Sequence, residues 1–145
     1  MWSCEHRADT SATPETIWPF SEDVAGWPTW NQGIEHIVLE GPFATGTTFL
    51  MTPPGEQTLR SQLIDVRAPE GFTDVTKLDG IQVTVHHRLH RIPTGTRITY
   101  RMEITGEQAD SAGPEIGPTI SGDLPQVTAA LIALAEGEQH KSTTP

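Results

Sequence analysis

Apolar residues alternate with polar ones along most of the first two thirds of the chain, a pattern typical of half-buried β-strands. At the start, Trp2, Cys4, His6 and Ala8 alternate with more polar residues, which predicts a first strand over residues 2–11. Further strands are predicted between turns rich in glycine and proline, over residues 34–40, 47–52, 58–67, 72–78, 81–92 and 97–105. Short strands at this spacing indicate a curved antiparallel meander.

Two short helical segments are predicted between the first and second strands. Thr13 can cap a helix that has Pro14 at its first position and Glu15 near its positive end. Pro19 is expected to keep this helix short, and a second short segment follows over residues 23–30. The two segments carry three tryptophans, Trp18, Trp27 and Trp30. These residues predict an apolar plug.

The last third of the chain has helical periodicity. Apolar residues recur at spacings of three or four, at Ile116, Ile120, Leu124, Val127, Leu131 and Leu134. This predicts one long helix with an apolar stripe, interrupted at residues 117–118 and again at 122–125, where Asp123 can cap a new segment. We expect a single domain over residues 1–137 and a flexible tail over residues 138–145.

The order of these elements predicts an α+β architecture. A long amphipathic helix needs an apolar surface on which to bury its stripe. A curved sheet of about seven strands offers a concave face of matching size, as the strand count above suggests. The sheet would wrap around the helix and leave an internal space, with the tryptophan-bearing helices covering one end.

Composition and charge narrow the possible functions. The 145 residues fit one domain. The net charge of −10 argues against nucleic-acid binding and against attraction to anionic membranes. The single cysteine, Cys4, excludes an internal disulfide and a multi-cysteine zinc site. We find no secretory signal or apolar run long enough for a membrane span, so the expected location is the cytoplasm.

Several segments are similar to a known family. They are TPETIW (13–18), DVAGWPTWN (23–31), LEGPF (39–43), GT (46–47), GTRITY (95–100), Gly106 and DLP (123–125). With the element order, they resemble the helix-grip fold of the START-like, or SRPBCC, superfamily, and in particular the bacterial polyketide cyclase/dehydrase family. The resemblance covers nearly the whole chain. It implies an internal cavity for a hydrophobic small molecule, since members include aromatase/cyclases and lipid and hormone binders.

Strand parity selects two polar groups that face this interior. His87 shares the apolar face of its strand with Val85, and Tyr100 shares that of the next strand with Met102. A histidine can act as acid or base near neutral pH, and a tyrosine hydroxyl can donate a hydrogen bond to a carbonyl. Alternatively, both are core residues whose polar tips meet backbone groups or water.

A histidine-rich stretch raises the question of a metal site. His86 and His87 are neighbours on a predicted strand and point to opposite faces, whereas His90 lies about 14 Å from His86. This spacing is too wide for one zinc ion, so no metal is expected. No cofactor is expected either, because the sequence has no G-x-G-x-x-G motif and no P-loop.

The strand over residues 58–67 has apolar residues on both faces, which indicates a β-bulge that switches the facing. The orientation of Arg60 and Asp65 therefore stays open. An inward Arg60 could orient an enolate or a carboxylate, an arrangement that resembles some cyclases of the superfamily.

Three functional hypotheses remain. The first is a protein that binds a lipid- or polyketide-like molecule in the cavity. The predicted ligand-binding residues are Trp27, Trp30, Phe49, Met51, Val85, His87, Tyr100, Met102, Ile116 and Ile120. The second is a polyketide cyclase, aromatase or dehydratase in which His87 moves protons and Tyr100 or Arg60 stabilises an enolate. The third is an interaction module that docks a partner through its tryptophan-rich end. The expected sheet has at least one uncovered edge, which a second copy of the chain could cover in a homodimer.

Overall fold

Seven strands form one curved antiparallel sheet in the computed structural model, which describes residues 1–143. The spatial order is β1-β7-β6-β5-β4-β3-β2, so β2 to β7 form a meander and β1 joins its far end. The strands are β1 (Trp2–Thr10), β2 (His36–Leu39), β3 (Thr48–Thr52), β4 (Leu59–Arg67), β5 (Gly71–Leu78), β6 (Ile81–Ile92) and β7 (Gly95–Thr105). This confirms the predicted sheet.

A two-residue turn sets the register of the strands that carry the predicted polar groups. Asp79 and Gly80 connect β5 to β6, and Gly80 has a φ of +76°, which suits glycine in a tight hairpin. Leu78 therefore pairs with Ile81, and Phe72 pairs with His87 further along. On the other side of β6, His87 pairs with Tyr100 of β7.

Two short helices follow β1, as predicted. Helix α1 (Pro14–Glu22) is capped by Thr13, whose side chain accepts a hydrogen bond from the backbone N–H of Thr16. The helix is short, as expected, but Pro19 does not interrupt it: α1 continues through this residue to Glu22. Burial of Ile17 and Trp18 holds the helix on the core despite the missing N–H donor. A 3-10 helix (Val24–Thr29) follows.

The predicted long C-terminal helix is in fact two helices with a break between them, α2 (Ala109–Ser121) and α3 (Leu124–Thr143). The predicted break at residues 122–125 is confirmed, but residues 117–118 lie inside α2 and do not interrupt it. Helix α3 does not end at residue 137; of the predicted tail, 138–143 are helical and 144–145 lie outside the described residues. Within residues 1–143, no helix is both long and apolar enough to cross a membrane.

Helix α3 packs on the concave face of the sheet. Its buried residues are Leu124, Val127, Thr128, Leu131 and Ala135. Leu134, predicted to lie in the apolar stripe, is instead 40% exposed, because Ala135 completes the four-residue spacing from Leu131. The apolar members of this stripe join one core cluster with residues of α1 and the sheet, which places the predicted cavity beside this cluster.

Helix α2 approaches β1 through glycines. A Cβ added at Gly113 would lie 2.4 Å from Cβ of Trp2, and one added at Gly117 would lie 2.6 Å from the Trp2 ring. Neither position has room for a side chain. The two glycines therefore set how closely α2 lies against the sheet and where its C-terminal end meets the cavity.

We expect Gly113→Ala to lower the free energy of unfolding by about 1–2 kcal/mol. Alanine gains about 1 kcal/mol over glycine in a helix interior, but overpacking typically costs about 1–3 kcal/mol and here involves a rigid Cβ atom. The matched control is Gly137→Ala in α3, where an added Cβ meets no atom within 4 Å and should raise the free energy of unfolding. Urea titration followed by tryptophan fluorescence measures both; a Gly113→Ala protein as stable as Gly137→Ala would contradict the close approach.

Candidate functional site

A cavity of about 440 Å³ lies between the concave face of the sheet, the 3-10 helix and the junction of α2 and α3. Strands β3 to β7 form its wall, and Ile120, Leu124 and Val127 cover it. Nine of the ten predicted ligand-binding residues line it: Trp27, Trp30, Phe49, Met51, Val85, His87, Tyr100, Met102 and Ile120. The predicted cavity therefore lies where the sequence analysis placed it, whereas the role of these residues in binding stays a prediction.

Ile116 is the exception among the predicted lining residues. It packs with Trp2 against a second apolar cluster that includes Met102 and Ile104. The first part of α2 lies over this cluster, and the helix reaches the cavity one turn later, at Ile120. Ile116 therefore does not line the cavity, contrary to the position expected for it, and its contact with a ligand stays an untested prediction.

A column of stacked rings forms one wall of the cavity. The ring of Trp27 stacks on Phe72 at a centroid distance of 5.7 Å, and Phe72 stacks on His87 at 4.0 Å. Tyr100 meets the edge of His87 at 4.8 Å. The indole N–H of Trp27 donates to the backbone carbonyl of Ser21 at 3.0 Å, which fixes that ring. This wall is aromatic, and the hydrogen bond to Ser21 fixes it at the Trp27 end.

His87 is paired with an acidic residue that strand parity did not identify. Its Nε2 lies 2.8 Å from Oδ2 of Asp74, which faces the cavity from β5, and both side chains are mostly buried. The carboxylate accepts the Nε2 hydrogen, which leaves Nδ1 with its lone pair in the neutral ring. Nδ1 has no hydrogen bond to the described residues and is not fully buried.

Tyr100 is the second polar group at this end. The residue is 6% exposed and lines the cavity, yet its hydroxyl has no hydrogen bond within residues 1–143. Burial and the nearby charge of Asp74 raise the pKa of this hydroxyl well above its usual range. The group therefore keeps its proton at neutral pH and can donate it in a hydrogen bond. We refer to Asp74, His87 and Tyr100 together as the polar end.

Arg60 does not reach the cavity. Its guanidinium lies 3.1 Å from Glu40 on the outer surface, and the side chain is 63% exposed. The strand β4 instead directs Ser61 and Leu63 inward, and the predicted bulge follows as a register shift between Leu63 and Asp65. Because the bulge comes after residue 60, it does not turn Arg60 inward, so this residue cannot stabilise an enolate in the cavity. Asp65 also pairs on the outer face.

The charges that line the cavity are all acidic. Besides Asp74, the carboxylates of Glu56 and Asp123 line it, and the lining residues include no lysine and no arginine. The hydroxyls of Ser61 and Thr76 form a hydrogen bond of 2.5 Å that joins neighbouring strands on the same wall.

A signal for Asp74 was present in the sequence. Residues 72, 74 and 76 share one face of β5, and this face also carries the buried Phe72.

Comparison with known proteins gives a family and a fold. The sequence model described as "Polyketide cyclase / dehydrase and lipid transport" matches residues 1–136. No curated protein matches the sequence.

Three solved structures illustrate the fold. The di-domain ARO/CYC StfQ from the steffimycin biosynthetic pathway has a TM-score of 0.78 at 14% identity, over 95% of this chain and 51% of that one. This chain therefore spans about half the length of StfQ. A START superfamily protein from Mycobacterium smegmatis has a TM-score of 0.73 at 13% identity, covering 93% and 97%. Norcoclaurine synthase from Thalictrum flavum, in complex with dopamine and hydroxybenzaldehyde, has a TM-score of 0.69 at 21% identity. The match covers 93% of this chain and 86% of the synthase chain.

Proposed function

This chain belongs to the polyketide cyclase/dehydrase and lipid transport family, and we propose that it binds a hydrophobic small molecule in the cavity between the sheet and the C-terminal helices. The observation that carries the proposal is the cavity itself. Its volume of about 440 Å³ is within the range of small-molecule sites, and its walls are largely aromatic and aliphatic. Polar groups converge at one end of it.

The polar end supports a ligand with at least one hydrogen-bonding group. Tyr100 is 6% exposed, and its hydroxyl has no hydrogen-bond partner among the described residues. A buried hydroxyl that loses water without gaining a hydrogen bond is destabilising by about 1–3 kcal/mol. A ligand that displaces water from the cavity must therefore supply a polar atom to Tyr100, while its apolar body contacts Trp27 and Phe49.

We expect Ile120→Trp to weaken binding of the neutral fluorophore N-phenyl-1-naphthylamine by about tenfold or more, because overfilling a packed site typically costs about 1–3 kcal/mol. Val85→Phe, which projects from the β6 wall, is a second variant that fills the cavity. Fluorescence titration measures both affinities.

The matched control is Leu134→Trp. Ile120 and Leu134 are aliphatic residues on the C-terminal helices with equal exposure, 40% each, but Leu134 does not line the cavity. Leu134→Trp should leave affinity unchanged. If both cavity variants bind the fluorophore as tightly as Leu134→Trp, the proposed site is wrong.

The pair of Asp74 and His87 favours a second candidate, proton transfer on a bound carbonyl compound. Nδ1 of His87 would remove a proton from the carbon next to the carbonyl; the C–H electron pair would form the C=C bond of an enolate, and the carbonyl π pair would move to the oxygen. The Tyr100 hydroxyl would donate to that oxygen, and Asp74 would stabilise the imidazolium. His87 is regenerated when the proton returns to carbon (enolisation), passes to a leaving hydroxyl (dehydration), or passes to the alkoxide formed when the enolate carbon adds to a second carbonyl of the ligand (aldol closure).

A further inference from the structure

The charges around the cavity are distributed unevenly. The arginines all form ion pairs away from it: Arg7, Arg60, Arg67, Arg88, Arg91, Arg97 and Arg101. Neither lysine lines the cavity. The carboxylates of Asp74, Glu56 and Asp123 therefore have no lysine or arginine among the lining residues to balance them. Glu56 is exposed, whereas Asp74 lies within the cavity wall.

Asp74 has room for another donor. Its Oδ2 accepts the hydrogen of His87 Nε2, and its Oδ1 has no hydrogen bond to any residue within 1–143. A neutral His87 leaves the charge of the pair at −1. That charge acts strongly on a ligand, because the apolar walls lower the local dielectric constant.

Tyr100 independently marks the same end as a ligand contact. This residue is more than nine-tenths buried, and its hydroxyl lines the cavity without a protein partner. A hydroxyl oxygen can accept a hydrogen bond as well as donate one. An ammonium group has three hydrogens, so it can donate to Oδ1 of Asp74 and to Tyr100, whereas a carboxylate would meet the charge of Asp74.

Building on the proposed function, we infer that the ligand is an apolar molecule with a protonated amine, which binds Asp74 at the polar end, and that carboxylic acids of the same shape are rejected. This ligand class excludes fatty acids and other anionic lipids. The inference rests on the Asp74 carboxylate in the cavity wall, whose Oδ1 has no hydrogen-bond partner among the described residues, rather than on the overall negative charge of the protein.

The test uses three probes with one aromatic body: 2-(1-naphthyl)ethylamine, 2-(1-naphthyl)ethanol and 1-naphthaleneacetic acid. Calorimetric titration at pH 8 should rank the amine first, the alcohol second and the acid last. Hydrogen bonds to charged groups contribute about 1.5–3 kcal/mol, so the amine should bind about 10–100-fold more tightly than the alcohol. Asp74→Asn should remove this preference, so that the amine and the alcohol bind this variant with similar affinities.

Glu107→Gln is the matched control, because it removes one negative charge from an exposed position that does not line the cavity. It should keep the preference for the amine. An amine that binds no better than the alcohol, or a preference that survives in Asp74→Asn, would overturn the inference and leave the proposed hydrophobic site standing. If none of the three probes binds, the proposed function fails as well.

Discussion

Replacing Phe72 by alanine is expected to lower the free energy of unfolding by about 3–5 kcal/mol, a large part of the about 5–15 kcal/mol typical of a domain. Phe72 is 3% exposed and lies between Trp27 and His87 in the aromatic column. Its ring also meets the rings of Phe43 at 5.2 Å and Trp18 at 6.5 Å. The substitution would remove contacts to α1, the 3-10 helix and β6 at once.

Phe72→Leu separates loss of volume from loss of ring stacking. Leucine keeps most of the apolar volume, so we expect a smaller loss of about 1–2 kcal/mol. Urea unfolding followed by circular dichroism measures both variants and does not depend on the nearby tryptophans. A cost for Phe72→Ala that is no larger than that for Phe72→Leu would show that the site collapses around the missing ring, and would contradict a rigid aromatic wall.

The sheet could be predicted from the sequence because each strand has a local signal at both ends. Strand β6 spans residues 81–92 as predicted, since the turn at 79–80 fixes its start and the Pro93 to Gly95 turn its end. The C-terminal helices were less predictable. Helix α2 begins at residue 109 and passes through Pro114 and Pro118. Within it Gly113 packs on Trp2, a contact between segments far apart in the sequence.

The candidate site was likewise predictable from the sequence only in part. Alternation along one strand was sufficient to place His87 and Tyr100 in the cavity wall. The pairing of His87 with Asp74 also requires the register between strands; counting back from the two-residue turn would have placed residue 72 opposite 87, with residue 74 next on that face. The outward position of Arg60 was not predictable, because the sequence indicates a bulge without fixing the residue at which it occurs.

If the polar end transfers protons, the protein should accelerate exchange of the α-protons of 2-tetralone for deuterium in D2O, and His87→Ala should reduce that acceleration by about 10²–10⁴-fold. The bicyclic ketone offers an apolar body for the cavity and a carbonyl for Tyr100. His87 lines the cavity and its Nδ1 has no hydrogen-bond partner in the described part of the chain, while Asp74 holds the opposite nitrogen at 2.8 Å. Proton NMR follows the exchange, with the protein-free rate subtracted.

Two further variants separate a chemical role from a structural one. Tyr100→Phe removes the donor to the enolate oxygen and should slow exchange by about 10²-fold or more, whereas His90→Ala changes an exposed histidine on the same strand and should leave the rate unchanged. Binding of 2-tetralone, measured by tryptophan fluorescence, should persist in His87→Ala, because apolar contacts supply most of the affinity. Exchange that is not accelerated by the unmodified protein, or that is equally fast in His87→Ala, would exclude His87 as the base and leave the cavity as a binding site alone.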